Sequence, residues 1–152
     1  MEEIEIAKEL TTGLLNRMGL KPEVEALYKE GTLNIEIKGD HEGILIGKYG
    51  RTLESLQILI NKMVNKKLKT SIKIIIDIDN YRERRSANII RMAQRLGEKA
   101  KRTSHSITIG PFNAHDRRII HLALKEDPSL KTESLGNGDL KEIRIIPINQ
   151  KG

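Results

Sequence analysis

The sequence has no cysteine and no tryptophan, and only one phenylalanine and three tyrosines among 152 residues. Without cysteine the chain forms neither disulfides nor thiolate metal sites, and we expect a reducing, cytoplasmic location. So few aromatic side chains argue against a sheet that stacks bases on exposed rings. No apolar run approaches the roughly 20 residues of a membrane-spanning helix, so no membrane insertion is expected.

Positive charge is unevenly distributed along the chain. Residues 1–78 carry 12 basic and 12 acidic residues, whereas residues 79–152 carry 15 and 9, so the second half holds the whole net charge of +6. Residues 79–102 alone contain eight bases and three acids, and Arg84 and Arg85 are among the bases. A neutral half followed by a cationic half predicts two domains, 1–78 and 79–152, the second with a surface for a polyanion.

Apolar periodicity predicts an α+β protein. Apolar residues spaced three and four apart indicate helices, and alternating apolar residues indicate strands with one buried face. In the first half we predict helices over 3–18, 42–46 and 51–67, and strands over 23–28, 32–38 and 71–78.

The second half has the same two kinds of pattern. Its predicted elements are helices over 81–101 and 114–125, and strands over 106–109, 130–136 and 142–148. Asn113 is the expected N-cap of the helix that begins at 114. Asp116 would lie in the first turn of that helix, where a negative charge suits the positive helix end.

A glycine-bracketed loop, Gly47-Lys48-Tyr49-Gly50, precedes the long helix that begins at Arg51. Glycine has no side chain, so a ligand can approach the backbone closely at both ends of this loop. The first N–H groups of the following helix lack intrahelical acceptors, which predicts an anion site, and Lys48 adds a positive charge. The spacing fits neither a Walker loop nor a dinucleotide-binding loop, so mononucleotide binding is disfavoured.

One face of the predicted helix 114–125 is basic. At 100° per residue, an arc of about 100° contains four basic or titratable side chains and no acid: Arg117, Arg118, His121 and Lys125. Because Arg117 and His121 are four residues apart, they can address one phosphate together.

The stretch ILIGKYGRTLESLQ lies within a predicted order of strand, helix, loop, helix and strand. This order resembles the KH domain, and the helix and strand that precede it are similar to the type II arrangement. The resemblance covers residues 3–78 and implies that the loop contacts the backbone of about four unpaired nucleotides. Apolar residues near the loop belong either to the floor beneath the bases or to the core: Ile44, Ile46, Leu53 and Ile74.

An Arg-x-x-x-His pair on a helix that follows an arginine-rich helix and a strand resembles the R-three-H domain, a family that binds single-stranded nucleic acid. The pair corresponds to Arg117 and His121. A KH domain followed by an R-three-H domain is typical of the bacterial Jag or KhpB family, also called SpoIIIJ-associated proteins. The stretches DIDNYRERR and NAHDRRIIHLAL carry this resemblance together with the loop sequence.

The resemblance implies a type II KH domain with helices packed on a three-stranded sheet, and then a small R-three-H domain with two helices on a three-stranded sheet. It implies a cytoplasmic, non-enzymatic binder of single-stranded RNA, with single-stranded DNA as an alternative ligand. Family members are post-transcriptional regulators linked to envelope growth or membrane protein insertion, and many partner a small single-KH protein. Many also carry an N-terminal Jag-N domain, and the residues of this chain do not themselves indicate a tether to membrane or wall machinery.

The predicted nucleic-acid contacts combine the loop, the arginine-rich helix and the basic helix face. They are Gly47, Lys48, Tyr49, Gly50, Arg51, Arg84, Arg85, Arg117, Arg118, His121 and Lys125. No cofactor and no metal site are expected, because the four histidines lack metal-ligand spacing.

Two other functions fit parts of the sequence. Asp77 and Asp79 are two residues apart at a strand end, so their side chains point the same way, as the carboxylates of a two-metal nuclease do. A strand end and a helix cap explain the two aspartates more simply. The segment LQILINKMVNKKL has apolar residues at most helix angles. A protein-interaction scaffold or homodimer that uses the KH surface, with weak or no RNA binding, is therefore the other alternative.

Overall fold

A computed structural model describes residues 2–39 and 43–148. The chain divides into two compact units, Met1–Arg82 and Glu83–Gly152. The first unit contains, in chain order, helix α1 (Glu2–Arg17), strands β1 (Glu23–Lys29) and β2 (Thr32–Lys38), a 3-10 turn (Lys48–Gly50), helix α2 (Arg51–Leu68) and strand β3 (Ile74–Ile78).

The sheet of the first unit has the order β1-β2-β3. Strands β1 and β2 are antiparallel, whereas β2 and β3 are parallel. One face of this sheet is covered by α1 and α2, and its side chains form the core of the unit. Six of them have no solvent exposure: Leu33, Ile35, Ile37, Ile74, Ile76 and Ile78.

The short helix predicted over 42–46 is wrong for residues 43–46, which form a turn, and residue 42 lies outside the described part of the chain. Gly43 and Gly47 have φ angles of +69° and +72°. The Gly47 N–H donates to the Gly43 carbonyl at 3.0 Å, so the backbone closes on itself over a single turn. The positive φ at both glycines prevents a regular helix from continuing.

Strand β3 begins at Ile74, three residues later than predicted. The side chain of Asn65 in α2 donates to the Ile72 carbonyl at 3.0 Å and accepts the Ile72 N–H at 2.8 Å. The main chain before β3 is therefore bonded to a helix side chain and does not extend the ladder.

The second unit is built from helix α3 (Tyr81–Thr103), strand β4 (Ile107–Phe112), helix α4 (Ala114–Leu124) and strands β5 (Leu130–Leu135) and β6 (Lys141–Pro147). Helix α3 begins at the end of the first unit. The sheet has the order β4-β6-β5 and is antiparallel throughout. Side chains of both helices and all three strands form its core: Ile89, Ala93, Ala100, Phe112, Ile120, Leu124, Leu130, Ile143 and Ile145.

Strand β4 continues to Phe112, beyond the end predicted at residue 109. The ladder with β6 shifts register between Ile109 and Phe112, and Phe112 then pairs with Lys141. Pro111 lies in this interval, and prolines in sheets occur at such irregularities because they have no N–H to donate. Phe112 is buried, so the only phenylalanine of the chain is a core residue.

The α+β prediction is confirmed. Four helices and two three-stranded sheets account for the regular structure within residues 2–39 and 43–148. None of the helices in these ranges is both long and apolar enough to span a bilayer.

Strand β3 is an edge strand, and side chains bond its free edge. Gln57 of α2 donates from Nε2 to the Ile74 carbonyl and accepts the Ile76 N–H at Oε1, both at 2.6 Å. Arg82 donates from Nε to the Ile76 carbonyl at 3.1 Å. An open edge can pair with another chain, so these bonds protect the sheet as well as satisfy its main chain.

A charged cluster joins the end of α3 to the segment after α4. Lys101 Nζ lies 2.6 Å from Asp127 Oδ2 and 2.7 Å from Glu98 Oε1. The hydrogen bond from Lys101, followed by the one from the Ser129 N–H, lowers the pKa of Asp127. The hydrogen bonds to Asp127 and Glu98 raise the pKa of Lys101.

Replacing Gln57 with alanine removes both of its bonds to the β3 edge. We expect the free energy of unfolding to fall by about 1–2 kcal/mol, because two main-chain groups lose their partners while water reaches part of the edge. Urea denaturation followed by circular dichroism measures the change. Ser55→Ala, at an exposed position of the same helix, is the control. Equal stability of the two variants would contradict this role.

Replacing Asp127 with asparagine should lower the urea midpoint at pH 7. The lowered pKa means that the carboxylate stabilises the fold above its unfolded pKa of about 3.9 and ceases to do so as pH falls through the folded value. The gap between wild type and Asp127→Asn should therefore close below about pH 4. The raised pKa of Lys101 should narrow the gap again above about pH 10.4. The exposed Asp139→Asn is the matched control, and a gap independent of pH would refute the assignment.

Candidate nucleic-acid interface

The glycine loop lies at the surface of the first unit, between β2 and α2. The φ angle is positive at three of its four residues: +72° at Gly47, +60° at Tyr49 and +72° at Gly50. Lys48 is exposed, and its Nζ lies 5.3 Å from the centroid of the Tyr49 ring, within cation–π distance. Arg51 at the start of α2 is also exposed, so this end of the helix presents two cations to solvent.

Packing within the unit explains both glycines. A Cβ at Gly47 would lie 2.2 Å from Thr52 Oγ1, and a Cβ at Gly50 would lie 3.0 Å from Cε1 of Tyr81. Positive φ adds backbone strain for any other residue at either position. The loop conformation therefore requires glycine at both ends before any ligand is considered.

The prediction that the first amides of α2 are open to an anion is wrong. The N–H groups of Thr52 and Leu53 donate to the Ile46 carbonyl at 3.1 and 3.2 Å. The Arg51 N–H donates to the Lys48 carbonyl. The main chain folds back onto the helix end, so the carbonyls of Ile46, just before the loop, and of Lys48 within it cap these amides. Attraction of a phosphate at this end of α2 then depends mainly on the Lys48 and Arg51 side chains.

The apolar candidates around the loop separate into core and surface. Leu53 and Ile74 are 2% and 0% exposed, so they are core residues. Ile46 is half-buried and packs against the same core. Ile44 is 49% exposed and is the one of the four that offers apolar surface beside the loop.

The uncovered face of the first sheet is acidic. Glu25 pairs with Glu36, and Glu36 pairs with Asp77, so three carboxylates lie in one row across β1, β2 and β3. Tyr28, the tyrosine of β1, faces the other way and donates from its hydroxyl to Glu3 of α1 at 2.8 Å. A polyanion is repelled by the acidic row and finds no exposed ring to stack on, so this face does not suit nucleic acid.

Helix α4 begins as predicted, with one difference. The Asn113 side chain accepts the Asp116 N–H at 2.8 Å, which confirms the N-cap. Asp116 lies in the predicted first turn, but its carboxylate also pairs with another helix: the side chain is 3% exposed and accepts from Nε and Nη2 of Arg85 at 3.2 and 3.0 Å. Arg85, a predicted nucleic-acid contact, thus joins α3 to α4. Arg84 is exposed on the first turns of α3.

The Arg-x-x-x-His pair lies at the edge of the covered side of the second sheet. His121 Nδ1 is hydrogen-bonded to the Thr132 hydroxyl, and its Nε2 lies 3.4 Å from the Ser134 hydroxyl. Two residues of β5 therefore orient the imidazole. Arg117 is half-buried, and its buried Nε has no hydrogen-bond partner within the described residues.

The other two basic residues, Arg118 on α4 and Lys125 at its C-cap, are exposed. The buried residues Ile120 and Leu124 lie on the adjoining side of the helix, next to Arg117. Arg117, Arg118, His121 and, at the C-cap, Lys125 therefore form the basic side of α4, and Arg117 Nε still lacks a hydrogen-bond partner within the described residues.

Sequence reasoning missed the side chains that support this site. Thr132 and Ser134 alternate along β5 and share one face with the buried Ile145 and Ile143 opposite them. Their spacing of two was the available signal that both face α4. No comparable signal linked Asp116 to Arg85, 31 residues away.

The carboxylates of Asp77 and Asp79, the two aspartates considered for a nuclease, accept hydrogen bonds from main-chain amides. Asp77 Oδ1 accepts the N–H groups of Ile78 and Arg82, and Asp79 Oδ1 accepts that of Gly39. Across residues 2–39 and 43–148, no group of three His, Asp or Glu side chains is placed to hold a metal ion.

Two domain families match the chain. The family described as KhpA/KhpB, KH domain, matches residues 5–76, and the R-three-H domain family matches residues 87–147. Three similar proteins each bear the name RNA-binding protein KhpB. The one from Clostridium symbiosum is 38% identical over 141 residues, which are 91% of this chain and 64% of that protein.

The other two relatives are more distant. The protein from Bacillus subtilis is 27% identical over 147 residues, 95% of this chain and 71% of that protein. The protein from Lactiplantibacillus plantarum is 26% identical over 123 residues, 81% of this chain and 38% of that protein. The chain thus spans less than two thirds of the Clostridium symbiosum and Lactiplantibacillus plantarum proteins.

These matches agree with the fold and with the predicted order of its parts. The first unit has the helix, the mixed sheet and the glycine loop expected of a type II KH domain, and the second has the two helices and three strands expected of an R-three-H domain. The chain belongs to the Jag or KhpB family, in which a KH domain precedes an R-three-H domain.

Proposed function

We propose that this protein binds single-stranded RNA without acting on it chemically, through the glycine loop of the KH domain and the basic side of α4. Single-stranded DNA is an alternative ligand with the same phosphate chemistry. We also propose the domain limits 1–78 and 79–152 and a cytoplasmic location. The names of the relatives agree with this proposal, as RNA binding is what those names state.

The basic side of α4 carries the proposal. Arg117 Nε is buried and unpaired, and a buried donor without an acceptor costs about 1–3 kcal/mol until a partner arrives. His121 is held beside it, and Arg118 and Lys125 add two exposed charges. Because Arg117 Nε is covered, a phosphate becomes its acceptor once the guanidinium turns out of this packing, and the neighbouring phosphates of a chain match the remaining cations.

The KH loop supplies a second contact. Lys48 and Arg51 are exposed at the start of α2. The acidic row of Glu25, Glu36 and Asp77 makes the uncovered face of the sheet unfavourable for RNA, so the loop is the better contact surface of this unit. Since the amides of Arg51, Thr52 and Leu53 are bonded within the loop, the contact relies on charge and close fit. Two such weak sites in one chain raise the affinity for a ligand long enough to reach both.

Of the remaining predicted contacts, Arg85 is assigned a positioning role. Its guanidinium holds Asp116 at the start of α4, so it sets the orientation of the helix that carries Arg117 and His121. We retain Arg84 as a phosphate contact on α3. On the wider biology, we propose post-transcriptional regulation linked to envelope growth or membrane protein insertion, with a small single-KH protein as partner.

A protein-interaction scaffold is the second candidate. Two adjacent aliphatic side chains of α2, Ile58 and Leu59, are 56% and 46% exposed. Large exposed aliphatic pairs are common at protein interfaces. If RNA affinity is absent or insensitive to salt between about 50 and 300 mM, the scaffold function is the better account, because phosphate contacts make binding strongly salt-dependent.

Reversing the charge of the loop should weaken binding. For Lys48→Asp combined with Tyr49→Asp, we expect the dissociation constant for a 20-nucleotide RNA to rise about tenfold or more, because a phosphate attraction becomes a repulsion. Fluorescence anisotropy measures it. Lys66→Asp makes a similar change about 22 Å along α2 from Arg51 and serves as the control. Equal affinity of the folded loop variant and the control would exclude the loop from the interface.

Removing the two exposed cations of α4 should change the salt dependence. For Arg118→Ala combined with Lys125→Ala, we expect the slope of log affinity against log salt to become shallower by about 0.7 for each phosphate lost. Lys131→Ala removes a cation from the other face of β5, opposite to the face of Thr132, and should leave the slope unchanged. An unaltered slope in the double variant would remove these residues from the contact set.

A further inference from the structure

Tyr81, the first residue of α3, is half-buried, and its ring lies against the glycine loop. It belongs to the first unit and packs against the core of that unit. A Cβ placed at Gly50 would meet three atoms of this side chain: Cε1 at 3.0 Å, the hydroxyl oxygen at 3.1 Å and Cζ at 3.4 Å. Because glycine has no side chain, the ring can approach the main chain of the loop closely. The tip of the ring thus covers the residue at which the loop ends and α2 begins.

A short turn determines where this ring lies. Strand β3 ends at Ile78, and α3 begins at Tyr81. The two residues between them, Asp79 and Asn80, have φ angles of +49° and +55°. Left-handed backbone costs free energy at residues other than glycine, although aspartate and asparagine adopt it more readily than most. Since only these two residues separate the strand from the helix, the turn leaves Tyr81 little freedom of position.

Hydrogen bonds on both sides of Tyr81 tie it to the first sheet. Before it, the Asp79 carboxylate accepts the N–H of Gly39, the residue that follows β2, at 3.2 Å. After it, Arg82 donates from Nε to the carbonyl of Ile76 in β3 at 3.1 Å. The ring therefore projects from a segment that is bonded to the sheet at both ends, and it offers the loop a fixed support.

The loop needs such a support. Tyr49 has a φ of +60°, which is unfavourable for a residue other than glycine, so this conformation has to be stabilised from outside the loop. The ring of Tyr81 contacts Gly50, the next residue along the chain. The exposed Lys48 and Arg51 flank these two loop residues. The positions of both cations therefore depend on the conformation that the ring holds in place.

We propose that Tyr81 is a positioning residue for the RNA contact of the glycine loop: its ring holds Gly50 and thereby fixes the directions of Lys48 and Arg51. This inference rests on the proposed function of the loop, and it adds a residue that does not itself touch the ligand. A loop already held in its binding conformation loses less conformational entropy when RNA binds, so its affinity is higher.

Hydrogen exchange on the free protein tests the contact without a ligand. The amides of Thr52 and Leu53 in the first turn of α2 bond to the main chain just before the loop, so their protection reports how well the loop is held. In Tyr81→Ala we expect this protection to fall about tenfold, because the loop opens locally without unfolding of the protein. Protection equal to that of the wild type would overturn the proposal.

Tyr28→Ala is the matched control for this measurement. Tyr28 and Tyr81 both pack, half-buried, against the core of the first unit, but Tyr28 lies on β1 and bonds to Glu3 of α1. Both variants should therefore lose stability, measured as the urea midpoint, whereas only Tyr81→Ala should lose protection at Thr52 and Leu53. An equal loss of protection in the two variants would show that Tyr81 contributes only to general stability, which would refute the proposal.

RNA affinity tests the positioning role directly. For the RNA used with the loop variant, Tyr81→Ala should raise the dissociation constant about three- to tenfold, whereas Tyr81→Phe, which keeps the ring, should stay within about twofold of the wild type. Tyr28→Ala should also stay within about twofold. A Tyr81→Phe variant as weak as Tyr81→Ala would contradict support by the ring.

A double-mutant cycle shows whether Tyr81 acts through the loop. Adding Tyr81→Ala to the variant Lys48→Asp, Tyr49→Asp should weaken binding by less than about twofold further, because the contact that Tyr81 positions is already lost. Additive losses in a protein that binds RNA would refute this inference alone. A wild type without RNA affinity would instead refute the proposed function, and this inference with it.

Discussion

The parallel pairing of β2 with β3 is the constraint on which the first unit depends. Parallel neighbours need a long crossover, and here the glycine loop and α2 form it. Isoleucines of both strands and the apolar stripe of α2 share one core, so α2 must lie flat on the sheet. The chain then has to turn sharply before Arg51, and glycines at 47 and 50 provide the positive φ for that turn. The exposed loop is thus a consequence of the topology.

Main-chain hydrogen bonds determine what chemistry this surface offers. The carbonyls of Ile46 and Lys48 accept the first amides of α2. Gln57 and Arg82 form hydrogen bonds with the main chain at the edge of β3. These main-chain groups are therefore not available to a ligand. Attraction for a polyanion therefore lies in side chains: Lys48 and Arg51 in one unit and the basic side of α4 in the other. Because such attraction is electrostatic, it depends strongly on salt.

Much of the fold followed from local patterns. The 3.6-residue and two-residue periodicities located α1 to α4 and most strand ends to within one residue. The spacing of the basic residues also predicted the basic face of α4. The failures occurred where a distant group decided the local structure. The Asn65 side chain bonds the main chain of Ile72, so β3 begins later than predicted. Pairing with Lys141 extends β4 beyond Pro111 to Phe112. The Ile46 carbonyl accepts two amides of α2 that have no acceptor within the helix itself.

The sequence by itself determined the order of elements, the family, the position of the cationic half and the residues of the basic helix face, because periodicity, charge and motif spacing are properties of neighbouring residues. Only the tertiary structure decided which polar groups meet. It buried Asp116 against Arg85, placed His121 against the hydroxyls of β5, and left Arg117 Nε without a hydrogen-bond partner among the described residues. The physical reason is that a hydrogen bond or a close approach depends on the packing of elements far apart in the chain, which no local pattern encodes.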